Sequence, residues 1–147
     1  MDNQINGLKL IPLKIFKDER GSLLHIFNPA NHLKKNFCEV YASETNSGVI
    51  KAWKKHTELS QNLCAITGQI KLVIFDCREK SSTYKNFFEI ILSRDNYYLV
   101  HIPKQVWYGF QCISQDKAIL INCIDKPYDP KQSISCSLEE LPFSYEW

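Results

Sequence analysis

The sequence predicts an all-β fold, a cupin-like jelly roll (a double-stranded β-helix), as a single domain over residues 1–147. Three observations carry this. Ten short runs have the β-branched and aromatic content that strands favour, and turn signals separate them. No amphipathic helical pattern extends beyond two turns. A chain of 147 residues suffices for one hydrophobic core, and it contains no internal repeat or low-complexity segment.

In chain order, residues 8–16 (LKLIPLKIF) alternate as a strand, with Pro12 marking an edge or a bulge. Asp18-Glu19-Arg20-Gly21 is a turn in which Gly21 takes the positive φ, and residues 22–27 return to form a hairpin. Residues 28–35 are a loop or one helical turn, and residues 37–42 a third strand. The central stretch, residues 48–76, holds strands at 49–53, 62–66 and 70–75, the last two separated by Thr67-Gly68-Gln69. A polar connection over 77–86 precedes strands at 87–92, 97–102, 106–112 and 118–124. Beyond Asp125 the chain carries Pro127, Pro130 and Pro142, reads as irregular, and ends in Phe143, Tyr145 and Trp147.

Composition narrows the function. Hydrophobic residues make up 44% and charged residues 23%, an ordinary globular balance. The net charge of +2 gives no electrostatic case for nucleic acid or for a membrane surface. No run approaches the roughly 20 apolar residues of a transmembrane helix. The N-terminus carries Asp2 and no apolar signal-peptide core, so the expected location is cytoplasmic. Of the six cysteines none form C-x-x-C, and most lie in apolar strand runs; they read as reduced core thiols, not zinc ligands.

The central stretch concentrates chemistry: Lys51, Lys54, Lys55 and His56, then Gln61 and Asn62. Such side chains at strand ends are how a β-barrel builds a ligand site in its mouth. Strand periodicity puts Lys54 and His56 on one face and Lys55 on the other.

Five segments together resemble the dTDP-4-dehydrorhamnose 3,5-epimerase family. Asp18-Glu19-Arg20-Gly21 matches its DERG turn. Gly48-Val49-Ile50-Lys51 resembles its G-V-[LI]-R strand. Asp76-x-Arg78-x-x-Ser81-x-Thr83-Tyr84 resembles its D-x-R-x-x-S-P-T-[FY] connection. Leu92-Ser93-x-x-Asn96 matches its L-S-x-x-N turn, and Ile102-Pro103 with Tyr108-Gly109-Phe110 resembles its I-P-x-x-x-x-H-G-F segment. The resemblance implies a cupin-like enzyme that needs no metal or cofactor and acts on a nucleotide-diphosphate 4-keto sugar. A histidine base would remove the proton α to the keto carbon and a tyrosine acid would return it on the other face. Members of the family are usually homodimers that exchange their N-terminal strands.

The chain departs from the pattern at its functional positions. The family's R-G-L-H reads Lys51-Ala52-Trp53-Lys54, with His56 two residues on. The tyrosine of its Y-K-x-T-D run falls on Ile121. The glutamate after the DERG turn is His25, and the histidine of H-G-F is Tyr108. Glu139 and Glu140 lie only near the family's late carboxylate. A sister group, the sugar 3,4-ketoisomerases, carries H-A-H-K-x-x-x-Q, which would match His56 and Gln61.

Imidazole supplies a base near neutral pH without large tuning. His56 is therefore the expected base, with Tyr108 and Tyr128 as candidate acids. Lys54 is the expected cation at the enolate oxygen, ahead of Lys71. Arg20 and Lys51 are candidates for the diphosphate, and His25, Gln61 and Asn62 for other ligand contacts. Set against this, Trp53 and Trp107 serve equally as core, Lys55 as a solvated face, His101 as structural, His32 as loop surface, and Asp125 and Asp129 as turn residues. A sugar-nucleotide-binding module without catalysis is the other reading of the lost family residues.

Overall fold

The structure, a computed structural model, describes residues 4–28, 39–141 and 143–147. Its strands are β1 (Lys9–Pro12), β2 (Ile15–Asp18), β3 (Gly21–Leu24), β4 (Glu39–Thr45), β5 (Ile50–His56), β6 (Gln61–Thr67), β7 (Ile70–Phe75), β8 (Phe87–Leu92), β9 (Tyr98–Ile102), β10 (Trp107–Cys112), β11 (Ala118–Ile124) and β12 (Ser133–Ser135). Two five-stranded antiparallel sheets form a double sheet. The first runs β1-β9-β6-β11-β4 and the second β12-β5-β10-β7-β8, while β2 and β3 form a separate hairpin.

Alternation along each strand divides its side chains between two faces. Leu63, Ala65, Val100 and Leu120 of the first sheet meet Leu72, Ile74, Tyr108 and Phe110 of the second in the central core. Each sheet also has a covered outer face. On the first, Cys64, Tyr97 and Leu99 lie beneath Leu13, Ile15, Leu24, Ile26 and Phe27. On the second, Trp53, Val73, Phe75 and Trp107 lie beneath Leu141, Phe143, Tyr145 and Trp147. Phe143 stacks on Phe75 at 3.8 Å between centroids, and Trp147 tilts against Trp53 at 5.2 Å.

Two expectations change. Residues 8–16 are two strands, broken after Pro12, so the hairpin is β2–β3 while β1 pairs with β9. The tail is not simply irregular: a 3-10 turn at Pro130–Gln132 leads into β12, which extends the second sheet along β5, and the terminal aromatic residues seal that sheet's outer face. The first residues of the expected strand at 37–42, and His32 and Cys38, lie outside the described residues. Gly21 does take a positive φ, 140°.

The 76–86 connection is held by one carboxylate. Asp76 is 0% exposed and accepts from Arg78 (backbone N, Nε and Nη2), from Ser81 Oγ at 2.6 Å and from Thr83 Oγ1 at 2.7 Å. Burial pushes its pKa up, but these hydrogen bonds outweigh burial and hold the group well below the usual carboxylate range. The segment that resembles the family's D-x-R-x-x-S-P-T motif is therefore a structural knot.

Candidate active site

Between the sheets is a cavity of about 320 Å³. The first sheet lends Tyr41, Ser43, Leu63, Leu120 and Asn122. The second lends Lys51, Ala52, Trp53, Lys54, Tyr108 and Phe110, and Ser135 and Cys136 close the edge.

Two cross-strand pairs face each other here. Asn122 on β11 lies directly opposite Tyr41 on β4, and Tyr108 on β10 lies directly opposite Lys54 on β5. Directly opposed residues present their side chains on the same face of a sheet. Lys51 and Lys54 are three residues apart, so an uninterrupted strand would point them to opposite faces. A bulge prevents this: Tyr108 pairs with Lys54 but Phe110 with Lys51, so Ala52 and Trp53 together oppose Gly109. Only glycine fits at 109, because a Cβ there would collide with the Ala52 Cβ.

Lys51 Nζ donates to the Glu44 carbonyl at 2.6 Å and to Ser43 Oγ at 3.1 Å. Lys54 Nζ lies over the Tyr128 ring, 5.2 Å from its centroid. The His56 ring stacks on Tyr108 (6.2 Å, 23°) and meets Tyr128 edge-on (6.3 Å, 80°). His56 is 3% exposed, and neither ring nitrogen has a hydrogen-bond partner among the described residues. Burial, and after it the Lys54 charge, lower its pKa to about 4. The imidazole is thus neutral at physiological pH.

A chain of amides links the phenols. Asn122 Nδ2 donates to Tyr41 Oη at 2.9 Å and to Gln61 Oε1 at 2.8 Å. The Gln61 side chain in turn hydrogen-bonds the Tyr108 phenol. Burial raises the pKa of Tyr108, Tyr41 and Tyr128 add to the rise, and Gln61 opposes it. Burial also raises Tyr41, against the Asn122 hydrogen bond. Asn122 Oδ1 is buried without a partner among the described residues.

Of the residues expected from sequence, Tyr108, Lys51 and Lys54 line the cavity. His56 and Tyr128 flank it through their contacts with Tyr108 and Lys54, and Gln61 sits in the amide chain. Asn62 does not belong to this group. It faces the outer side of the first sheet with Cys64, where Oδ1 pairs with His101 Nδ1 and Nδ2 donates to the Cys123 carbonyl, each at 2.8 Å. Both ends of its amide are used within the fold. His25 borders a separate groove with Ile11, Leu13, Phe27 and Leu99. Arg20, 83% exposed in its side chain, caps the hairpin through a 2.6 Å ion pair to Asp18. Neither lines this chain's cavity. Lys55 points to the opposite face, over Trp107 at 4.7 Å.

Tyr41 and Asn122, both in the cavity, were not among the expected residues. Ile121, the position matched to the family tyrosine, packs outward with Cys64 and Leu99; Asn122 is the residue that faces the cavity. A signal for Asn122 was present, since it is the one polar side chain in the strand AILINCI. Tyr41 gave none, because a strand tyrosine reads first as packing.

A family model described as dTDP-4-dehydrorhamnose 3,5-epimerase matches residues 2–147. The probable low-salt glycan biosynthesis epimerase Agl13 of Haloferax volcanii is 30% identical over 85% of this chain and 81% of its own. The spore coat polysaccharide biosynthesis protein SpsL of Bacillus subtilis is 28% identical, covering 87% of this chain and 85% of its own. Among solved structures, a dTDP sugar isomerase from Desulfovibrio desulfuricans superposes with a TM-score of 0.91 at 35% identity, over 95% of this chain and 91% of that one. The fold is also that of the Bacillus anthracis dTDP-4-dehydrorhamnose 3,5-epimerase solved with TDP and PPi bound, at a TM-score of 0.80 and 23% identity, over 93% of this chain and 85% of that one. The double sheet is thus a cupin-like jelly roll, and the chain belongs to the dTDP-4-dehydrorhamnose 3,5-epimerase family.

Proposed function

We propose that this protein is a nucleotide-sugar epimerase that inverts a carbon next to the keto group of a 4-keto sugar, in the making of activated sugars for a surface polysaccharide or glycoconjugate. The observation that carries this is the cavity: in a chain of this family, two lysines, two phenols and an amide converge where a sugar would sit. The α C–H bond breaks, its proton passes to a base, and its electron pair moves onto the C4 oxygen. Lys54 holds that oxyanion as a preorganised cation, an effect worth roughly 10²–10³ in rate. His56 is the base, with its nitrogens unpartnered and its ring against Tyr108. Burial is the larger cause of its lowered pKa; an anionic diphosphate held by Lys51 would offset the smaller part that comes from the Lys54 charge.

The protein would act as a single-domain cytoplasmic homodimer. The β2–β3 hairpin forms a sheet of its own, packs Ile15 and Leu24 on the first sheet, and leaves Phe16 and Leu23 58% and 61% exposed. A second copy covering this surface would let Arg20 and His25 serve the partner's cavity, which accounts for their distance from their own.

The test is deuterium incorporation. The protein in D₂O is given dTDP-, GDP-, CDP- and UDP-linked 4-keto-6-deoxyhexoses, and NMR reads label at C3 and C5, beside Lys54→Met. Label together with inversion, reduced roughly 10²–10³-fold in the variant, is expected. A carbonyl moved to C3 would favour the ketoisomerase reading instead. Binding without label at either carbon would leave a binding module.

A further inference from the structure

The proposal above leaves open which group returns the proton. Inversion needs a base and an acid on opposite faces of the α carbon. His56 and Tyr108 stack on each other and belong to adjacent strands of the second sheet, so they approach a ligand from one side. Tyr128 flanks that side as well, edge-on to His56 and beneath Lys54. The first sheet forms the facing wall, and its polar side chains in the cavity are Tyr41, Ser43 and Asn122.

We infer that Tyr41 is the acid that delivers the proton to the face opposite the base, and that Asn122 is its positioning residue. The hydrogen bonding is directional. Asn122 Nδ2 has two hydrogens; one goes to Gln61 Oε1 and the other to Tyr41 Oη. Tyr41 Oη is therefore the acceptor in that bond, and its own hydrogen has no acceptor among the described residues. It is free to point at a ligand. The same Asn122 hydrogen bond stabilises the phenolate left after transfer. Asn122 cannot itself act as an acid; it lines the cavity beside Tyr41, and its Oδ1 is buried without a partner among the described residues.

The step balances simply. The enolate's electron pair re-forms the C4 carbonyl as the α carbon takes the proton from Tyr41 Oη. The O–H pair stays on Tyr41 as phenolate, which solvent reprotonates, while the base releases the proton it took to solvent. No further reactant is required.

This inference rests on the epimerase reading, and its test separates the two. Wild type and Tyr41→Phe are each incubated in D₂O with the 4-keto-6-deoxyhexose nucleotide that the wild type turns over. NMR follows two quantities: loss of the α-proton signal, and appearance of the inverted epimer. The expected result is that Tyr41→Phe still exchanges the α proton within about tenfold of the wild-type rate, from the base face and with retention. Its inversion falls at least a hundredfold. Asn122→Leu is expected to lower inversion more than exchange, in the same direction but less steeply. If Tyr41→Phe inverts as fast as it exchanges, or loses both to the same extent, Tyr41 is not the acid. A wild type that neither exchanges nor inverts any member of the panel overturns the epimerase reading itself, and the assignment of Tyr41 with it.

Discussion

Asp76 and Asn122 are both buried polar side chains, and they differ in one respect. Asp76 accepts from five donors and is satisfied within its own segment. Asn122 uses both amide hydrogens and leaves Oδ1 unpaired. The contrast recurs between histidines: His101 is paired with Asn62, whereas both nitrogens of His56 lack a partner among the described residues. An unpaired buried polar atom costs about 1–3 kcal/mol. Folding alone does not reward that cost; of these two unpaired groups, Asn122 lines the cavity and His56 stacks on Tyr108, which lines it. Satisfied groups hold the fold.

The comparison predicts opposite consequences for stability and activity. The largest effect on stability belongs to Asp76→Ala. It strands Arg78, Ser81 and Thr83 and is expected to cost about 3–5 kcal/mol by urea unfolding, with turnover per folded molecule unchanged. Because folding lowers the Asp76 pKa, its contribution is present above the ordinary value of 3.8 and is lost as pH falls further. An unaltered urea midpoint would erase the distinction.

Next is His56. Folding lowers its pKa from 6.5 to about 4, so between those values the unfolded chain binds the extra proton. Stability therefore rises with pH across that window and is lost as pH falls through it, by about 3 kcal/mol at most. His56→Phe is expected to flatten this part of the stability profile while abolishing α-proton exchange. If the wild-type profile is already flat from pH 4 to 6.5, His56 is not buried neutral.

The smallest stability change is expected for Asn122→Leu, about 1–2 kcal/mol, because the loss of its donors to Gln61 Oε1 and Tyr41 Oη is partly offset by removal of an unsatisfied acceptor. A loss as large as that of Asp76→Ala would mean that Asn122 holds the fold.

Much of the architecture was legible in the chain. The strands at 70–75, 87–92 and 118–124 follow from apolar content between turn signals, and their observed limits coincide with the reading. The covering layers were less so. The terminal aromatic residues gain their place only through Trp53 and Phe75, which are distant in sequence, and β12 is three residues long. At the site, Lys54 and Tyr108 were readable because charge and motif position coincide. Asn122 was displaced by one residue to Ile121, and a shift of one reverses the facing of a strand residue. Lys51 shares the cavity with Lys54 through a bulge that no local pattern announced. Tyr41 emerged only when β4 was placed against β11.

The most direct measurement is side-chain NMR on ¹⁵N-labelled protein titrated with the dTDP-linked 4-keto-6-deoxyhexose. The account predicts that the His56 ring nitrogens and the Asn122 amide shift on saturation while the His101 ring and the Asn62 amide stay in place. Saturable binding that moves His101 and Asn62 but leaves His56 and Asn122 still would contradict it.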